Sequence, residues 1–525
     1  MPSTTTPTET PADQAHPPRP ATKPTTDIAP FARLPVLAVA VAAMGLLLAF
    51  AGRYGYHGDE LYFVAAGRNL AWGYADQPPL LPALAGLMDT LFPGSVVGLR
   101  APAILLTGLG VVVSALIARE FGGRWRAQTM AAAAYACSPH LLAGSGHILA
   151  THMVDAVLWT VLTWLVVRWT RLRSRGRPDD RLLLFAGLVT AVAMQVKFLV
   201  PFFWVVLAVA ALAVGPRDLL RRPMLWAGAG IAALATVPTL IWQASNGWPQ
   251  LEMDRIVAGE ASFAGGRLTF LPMALEQAGM AVGAAFVLWG GWRLLRSPHL
   301  RPYRFLGWTV LGVTLVFLVN SGRPYYVAGL FALCFAAASA DIERRLPARS
   351  WAWRTAIPIY AASAAFAIQG LPVTPLTYYA DKPYHPMQMA LEEFGWPEFV
   401  DDVASTYRAL PPEQRARTTV VTETYWHAAA IDRFGPDRGL PEAFSTGRGA
   451  WYFGMPPEDA STTLFVGWKR GELRRHFSDV QWVSTVDNGH RVPNVTQGMP
   501  IFLCEGRRQS WAESWPELRH MSFRA

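Results

Sequence analysis

Charge is scarce in this chain. Only 16% of its 525 residues are Asp, Glu, Lys or Arg, where a soluble globule carries about a quarter. The deficit is concentrated in apolar runs of roughly 17–23 residues between about residues 34 and 371, and a helix needs about 20 apolar residues to cross a bilayer. Hydrocarbon offers no partner to an open backbone group, so such runs read as spanning helices and argue against a large soluble bundle. Cysteine is nearly missing as well. Cys137 and Cys334 lie in apolar runs and Cys504 in the polar tail, which excludes a disulfide framework and the paired spacing of a zinc site. The tail has no glycine-rich phosphate loop. No internal repeat and no cleavable secretory signal is visible, since the first apolar run follows a long polar arm.

What is present is a set of candidate spans: 34–51, 100–118, 127–145, 152–169, 181–196, 198–214, 224–243, 271–292, 304–320, 325–340 and 352–371. That is about 11 crossings, several rich in small residues such as Ala131 to Ala134, which suit close helix packing in lipid. The net charge of +9 takes its meaning from where it lies. Arginines crowd the loops 119–126, 168–181, 217–222, 293–304 and 344–354, which are every second loop. Positive charge on alternate loops marks the cytoplasmic side and points to a bilayer rather than to nucleic acid. The expectation is a multi-pass cell-membrane protein with its N-terminus in the cytoplasm and its C-terminal part outside.

Three regions follow. Residues 1–30, rich in Pro, Thr and Ala, read as a disordered cytoplasmic arm, and 31–371 as the membrane domain. Residues 372–525 read as an extracytoplasmic α/β domain. In that domain a helical pattern covers 386–409. Strands are expected at Thr419 to Thr422, Trp451 to Phe453, Thr463 to Val466, Trp482 to Thr485 and Ile501 to Cys504, with helical stretches at 424–434 and 471–477.

Residues able to do chemistry collect at the outer span ends. Tyr54-Gly-Tyr-His-Gly-Asp-Glu-Leu-Tyr62 follows the first span and sets Asp59 and Glu60 at the membrane face beside His57 and Tyr62. A carboxylate there can act as general base on an acceptor hydroxyl or amine. Gly58 is expected to let the backbone turn tightly before Asp59. Further along, Gly73-Tyr-Ala-Asp-Gln-Pro-Pro-Leu80 pins Asp76 and Gln77 near the same face. Asp155 lies about one turn inside a span with His152 one turn above it, and ionisable residues at such depth are costly and usually functional. Lys197 sits alone between two apolar runs, where a cation suits a lipid phosphate. Asn320-Ser-Gly-Arg-Pro-Tyr-Tyr326 adds Arg323, Tyr325 and Tyr326, a cation and two rings fit for a phosphate and a sugar or prenyl groove.

Taken together, His57-Gly-Asp-Glu-Leu-Tyr62, Tyr74-Ala-Asp-Gln-Pro-Pro-Leu80, Asp155, Lys197 and Arg323-Pro-Tyr-Tyr326 resemble the family 39-type glycosyltransferases. That group includes the protein O-mannosyltransferases and the lipid A aminoarabinose transferases, and the resemblance covers about residues 34–340. It implies a mainly α, polytopic bundle of the GT-C fold. It further implies transfer of a sugar from a polyprenyl-phosphate donor to a protein, lipid or glycan acceptor on the outer face, with inversion. By the same resemblance Asp59 is the catalytic acid, with Asp155 as a second acid near the site. Glu60 is a further candidate catalytic acid, or else it points away from Asp59 and holds the loop or a metal. Lys197 holds the donor phosphate, and Arg323, Tyr325 and Tyr326 form a basic–aromatic corner. His57, Tyr62, Asp76, Gln77 and His152 complete the substrate site. Asp76-Gln77-Pro78 stands where the aminoarabinose transferases have Glu-Lys-Pro, so one phosphate contact is missing or supplied elsewhere. No cofactor follows from the residues, although the outer-face acids could hold a divalent metal. Two other classes compete: a transporter or flippase of lipid-linked substrates, which would need mid-membrane polar residues, paired broken helices and repeats, and a membrane-anchored binding module.

Overall fold

A computed structural model describes residues 28–522 except 145, 264, 347–349, 384–388 and 468–469. Most of the expected disordered arm, and the start of the 386–409 helical pattern, therefore lie outside the described residues. The membrane part opens with α1 (Arg33–Phe50), then two short helices, α2 (Gly58–Arg68) and α3 (Leu80–Leu91). It continues through α4 (Val96–Glu120), α5 (Trp125–Ala136), α6 (Thr151–Ser174), α7 (Arg181–Met194), α8 (Val200–Val214) and α9 (Pro223–Ser245). It closes with α10 (Pro249–Phe263), α11 (Gly266–Ala278), α12 (Val282–Arg296), α13 (Arg304–Val319), α14 (Phe331–Arg345) and α15 (Ala352–Ile368).

Each expected span is met by helix, with two differences. Among the described residues, six helices or helix-plus-turn units are long and apolar enough to cross a bilayer alone, and α11 and α12 qualify only as a pair bent by 108°. The expected straight span 271–292 is therefore broken. The cause is local: Gly279 takes φ +126°, and the backbone then doubles back so closely that a side chain at Gly283 would meet the Ala278 carbonyl at 1.7 Å. The second difference lies in 127–145, where α5 stops at Ala136 and the chain passes Pro139 into a wide turn at His140–Gly144.

Sequence also explains which way the helices face. Leu37, Val41 and Leu48 of α1, Val205 and Val209 of α8, Leu234 and Ile241 of α9 and Leu311 and Leu315 of α13 all point outward. So much exposed apolar surface suits lipid. The arginine loops meet at one end of the bundle: Arg171 pairs with Glu120, Arg173 with Asp218 at 2.5 Å and Arg222 with Asp180 at 3.4 Å. Arg119 there bonds the Ala29 carbonyl, so the described chain begins at that end. The protein is a multi-pass membrane protein with its charged loops on one side.

At the opposite end sits the C-terminal part: α16 (Trp396–Arg408), α17 (Pro412–Arg415), β1 (Thr418–Thr422), α18 (Tyr425–Phe434), β2 (Ala443–Ser445), β3 (Thr462–Val466), α19 (Arg470–His476), β4 (Phe477–Thr485), β5 (Pro500–Arg507) and α20 (Trp511–Leu518). The strand order is β2-β1-β3-β5-β4, parallel from β2 to β3 and antiparallel beyond. Alternation sorts the sheet's faces. Val421, Phe465 and Phe502 pack toward α19 and α20, while Val420, Leu464 and Ile501 join a core shared with α16, α18 and α2. That shared core seats the domain on the bundle. Four expected strands are present. The fifth, Trp451 to Phe453, is a 3₁₀ turn, Arg448–Phe453. Its three rings diverge, Trp451 to the Trp515 carbonyl, Tyr452 to Trp242 and Phe453 to Tyr62, which two alternating strand faces could not accommodate.

Candidate active site

The site begins at α2. His57 is its N-cap: its Nδ1 accepts the Asp59 N–H at 3.1 Å, and Glu60 Oε2 accepts the His57 N–H at 2.9 Å. This is a capping box with His in the usual Ser or Thr place, and it fixes which way the two neighbouring acids face. Glu60 turns inward. Arg100 of α4 grips it at 2.7 Å with neither side chain exposed, and the Leu149 N–H bonds its other oxygen at 2.9 Å. Arg100 and His147 also reach Glu393, at 3.3 and 3.1 Å, tying the segment before α16 to the bundle. Glu60, expected beside Asp59 as a catalytic acid, is thus engaged by the scaffold.

Asp59 turns the other way, toward the C-terminal domain. The indole N–H of Trp426 bonds its Oδ1 at 2.9 Å, and the Tyr425 hydroxyl bonds the same oxygen at 3.3 Å. Gly58 is needed for this approach rather than for a turn, since a side chain there would lie 2.2 Å from the Trp426 ring. Tyr425 is in turn bonded by Arg448 at 3.0 Å. Arg448 and Arg323 both pair with Glu260 of α10, each at 2.5 Å. Arg323, expected to meet a phosphate, meets a carboxylate here.

Beyond Arg323 comes the aromatic corner. The Lys197 ammonium lies 5.0 Å from the centres of both the Tyr325 and Tyr326 rings, at the turn between α7 and α8. Tyr325 stacks on His140 at 5.1 Å and leans on His152 at 5.3 Å. No carboxylate among the described residues forms an ion pair with Lys197. Its charge is felt by Asp155 and His152, and His152 also feels Asp59. A cation held in an aromatic cage with no paired anion is ready for an anionic ligand.

Asp76 closes the ring. It accepts the Tyr62 hydroxyl at 2.9 Å, and burial pushes its carboxyl up to about 6 against the pull of Arg448. Burial and the facing Asp76 hold the Tyr62 phenol well above its usual range, so it remains a donor. Gly449 packs onto this pair, leaving no room for a side chain, which would fall 1.9 Å from the Tyr62 hydroxyl. Two expected site residues keep a buried polar atom with no hydrogen-bond partner among the described residues: His57 Nε2 and Gln77 Nε2. Among the described residues no three His, Cys, Asp or Glu side chains converge to hold a metal ion.

The structure therefore gathers Asp59, Tyr62, Asp76, His152, Asp155, Lys197, Arg323, Tyr325 and Tyr326 at one end of the bundle. Sequence reading missed Tyr425, Trp426, Arg448 and Glu260. One signal was available: Arg448 lies between Gly447 and Gly449, a spacing that marks close backbone approach.

Similarity to known proteins agrees with this arrangement. Residues 76–242, which include Asp76, Gln77, His152, Asp155 and Lys197, match the family described as dolichyl-phosphate-mannose-protein mannosyltransferase. No curated protein matches the chain in sequence. Among solved structures, ArnT from Cupriavidus metallidurans bound to undecaprenyl phosphate superposes with a TM-score of 0.58 at 17% identity, over 89% of this chain and 97% of that one. Its apo form gives 0.56 at 15% identity, over 90% and 97%. The likeness establishes the fold: a GT-C bundle followed by a small sheet domain. The resemblance to family 39-type glycosyltransferases carried by the motifs is met in both sequence and fold.

Proposed function

We propose that this protein is a membrane glycosyltransferase that moves a sugar from a polyprenyl-phosphate-linked donor to a protein, lipid or glycan acceptor on the outer face. The observation that carries the reading is the pairing of a caged cation, Lys197, with a half-buried carboxylate, Asp59, in one site at the end of the bundle opposite the arginine loops. The reaction needs those two groups. The acceptor oxygen or nitrogen attacks the anomeric carbon from the face opposite the phosphate, and Asp59 takes its proton. The bond from that carbon to the phosphate oxygen breaks, polyprenyl phosphate leaves with the electron pair, and the anomeric centre inverts. Phosphate leaves readily without a proton, so one carboxylate suffices where a glycosidase needs two. Lys197 offsets the phosphate charge, and the exposed apolar faces of α8 and α9 offer a bed for the prenyl chain. Asp155 stands about one turn along α6 from His152, which leans on the Tyr325 ring of the same cage.

Among the described residues α11–α12 is the one pair of apolar helices that forms a sharply bent span, and the interruption in 127–145 does not repeat its form, which argues against a repeat-built transporter. The test is transfer from a labelled lipid-linked sugar, with release of free polyprenyl phosphate measured alongside. General-base catalysis contributes about 10²–10⁴-fold, so Asp59→Asn should lower turnover by that factor while donor binding persists. Wild-type turnover in Asp59→Asn with a dead Asp155→Asn would move the base to Asp155. Absence of any sugar release by the wild type across lipid-linked donors would sink the enzyme reading.

A further inference from the structure

We infer that Trp426, with Tyr425 beside it, is a positioning residue that aims Asp59 at the acceptor, so that the C-terminal domain completes the active site. This rests on the reading of Asp59 as general base. A carboxylate torsion is soft and roughly two-fold, so an Asp on an open helix start has no fixed direction of its own. Here two donors from the first turn of α18, the Trp426 N–H at 2.9 Å and the Tyr425 O–H at 3.3 Å, meet on one oxygen, Oδ1. The second oxygen, Oδ2, takes no hydrogen bond from the described residues and is the one left to accept a proton.

The surroundings hold Trp426 in place. It is buried, edge-on to His57 at 5.2 Å and to Trp396 at 6.3 Å. The missing side chain at Gly58 makes room for its ring. Its neighbour Tyr425 is fixed by Arg448, which Glu260 of the membrane part anchors at 2.5 Å. Both donors are therefore locked to the bundle, and the direction of Asp59 depends on the domain being seated.

Trp426→Phe keeps an aromatic side chain but removes the N–H together with one of the two indole rings. Turnover should fall about ten- to a hundredfold, the usual weight of a hydrogen bond to a charged group. Donor affinity should stay as in the wild type, with the melting temperature lowered by the space the smaller ring leaves. In the Asp59→Asn background the same change should cost nothing further, because no base remains to be aimed. Tyr425→Phe gives a second reading in the same direction and carries the test if Trp426→Phe does not fold. Wild-type turnover in both variants overturns the inference, as does an equal loss with and without the Asp59 carboxylate. Asp59→Asn turning over like the wild type would instead remove the base assignment itself, a separate result seen in a separate variant.

Discussion

Arg100 and Glu60 lie 2.7 Å apart, and neither side chain has any exposure to solvent. Asp59, one residue earlier, shares none of this and is held from the other side by Trp426. Two adjacent acids at the start of one helix thus have separate surroundings, and on the proposed function separate duties, one in the scaffold and one toward the substrate. Without Glu60, Arg100 keeps Glu393 at 3.3 Å as its charged partner, and each charged hydrogen bond lost costs about 1.5–3 kcal/mol. Glu60→Ala should therefore lower the melting temperature sharply, whereas Asp59→Asn should leave it in place. Thermal unfolding of the two variants in the same detergent or nanodisc checks this, and equal stability would contradict the division.

Lys197→Ala should weaken donor binding about ten- to a hundredfold, from the loss of a charged contact of about 1.5–3 kcal/mol. The cage of Tyr325 and Tyr326 stays in place in this variant, so the loss reads on the charge. Equilibrium binding of the lipid-linked donor is the measurement. Unchanged affinity in a folded variant would make Lys197 an interfacial anchor.

The C-terminal domain should lose stability as the pH falls from about 6.5 to about 4. His427 of α18 is buried, with Thr424 on Nδ1 and the Val495 carbonyl 3.3 Å from Nε2, an arrangement that suits the neutral ring. Burial holds its pKa down at about 4. In that window the unfolded chain binds a proton that the folded one refuses, so stability rises with pH by about 3 kcal/mol at most. His427→Leu should flatten this part of the stability curve, read by denaturant unfolding at pH 4.5 and 7. A slope as steep as the wild type's would show that other groups set it.

The loop 171–181 is expected in the cytoplasm and the region near 440 outside. Single cysteines at each place, tested with a membrane-impermeant reagent on intact cells, decide it. Labelling within 171–181, or none near 440, would reverse the orientation.

The sequence carried the bundle because spanning helices are local: each must satisfy its own backbone, so each announces itself by length and composition. Helix α2, only 11 residues long, does not announce itself in this way: its stretch reads as loop, and the His57–Glu60 capping box shows only in the folded chain. That Glu60 need not share a face with Asp59 does follow from their being neighbours in sequence. The partners of Asp59 could not be seen, since Tyr425 and Trp426 stand 366 and 367 positions away and meet it only through tertiary packing. Gly58 shows the same limit. A glycine before an acid suggests backbone freedom, and the reason found is an indole from another domain. The 271–292 run read as one straight span because its apolar composition hides what Gly279 and Gly283 do to the backbone.

Helices α7 and α8 have 14 and 15 residues, so each is only about 21–23 Å long, against a hydrocarbon core of about 30 Å. Both reach the arginine-rich end at their other termini. Helices this short leave the turn they share, with Lys197 in it, short of spanning such a core. On the proposed function, a donor phosphate that meets Lys197 sinks into its leaflet, or the leaflet thins around this side of the protein. Hydrophobic mismatch at α7 and α8 is then part of substrate capture, and turnover is expected to respond to membrane thickness.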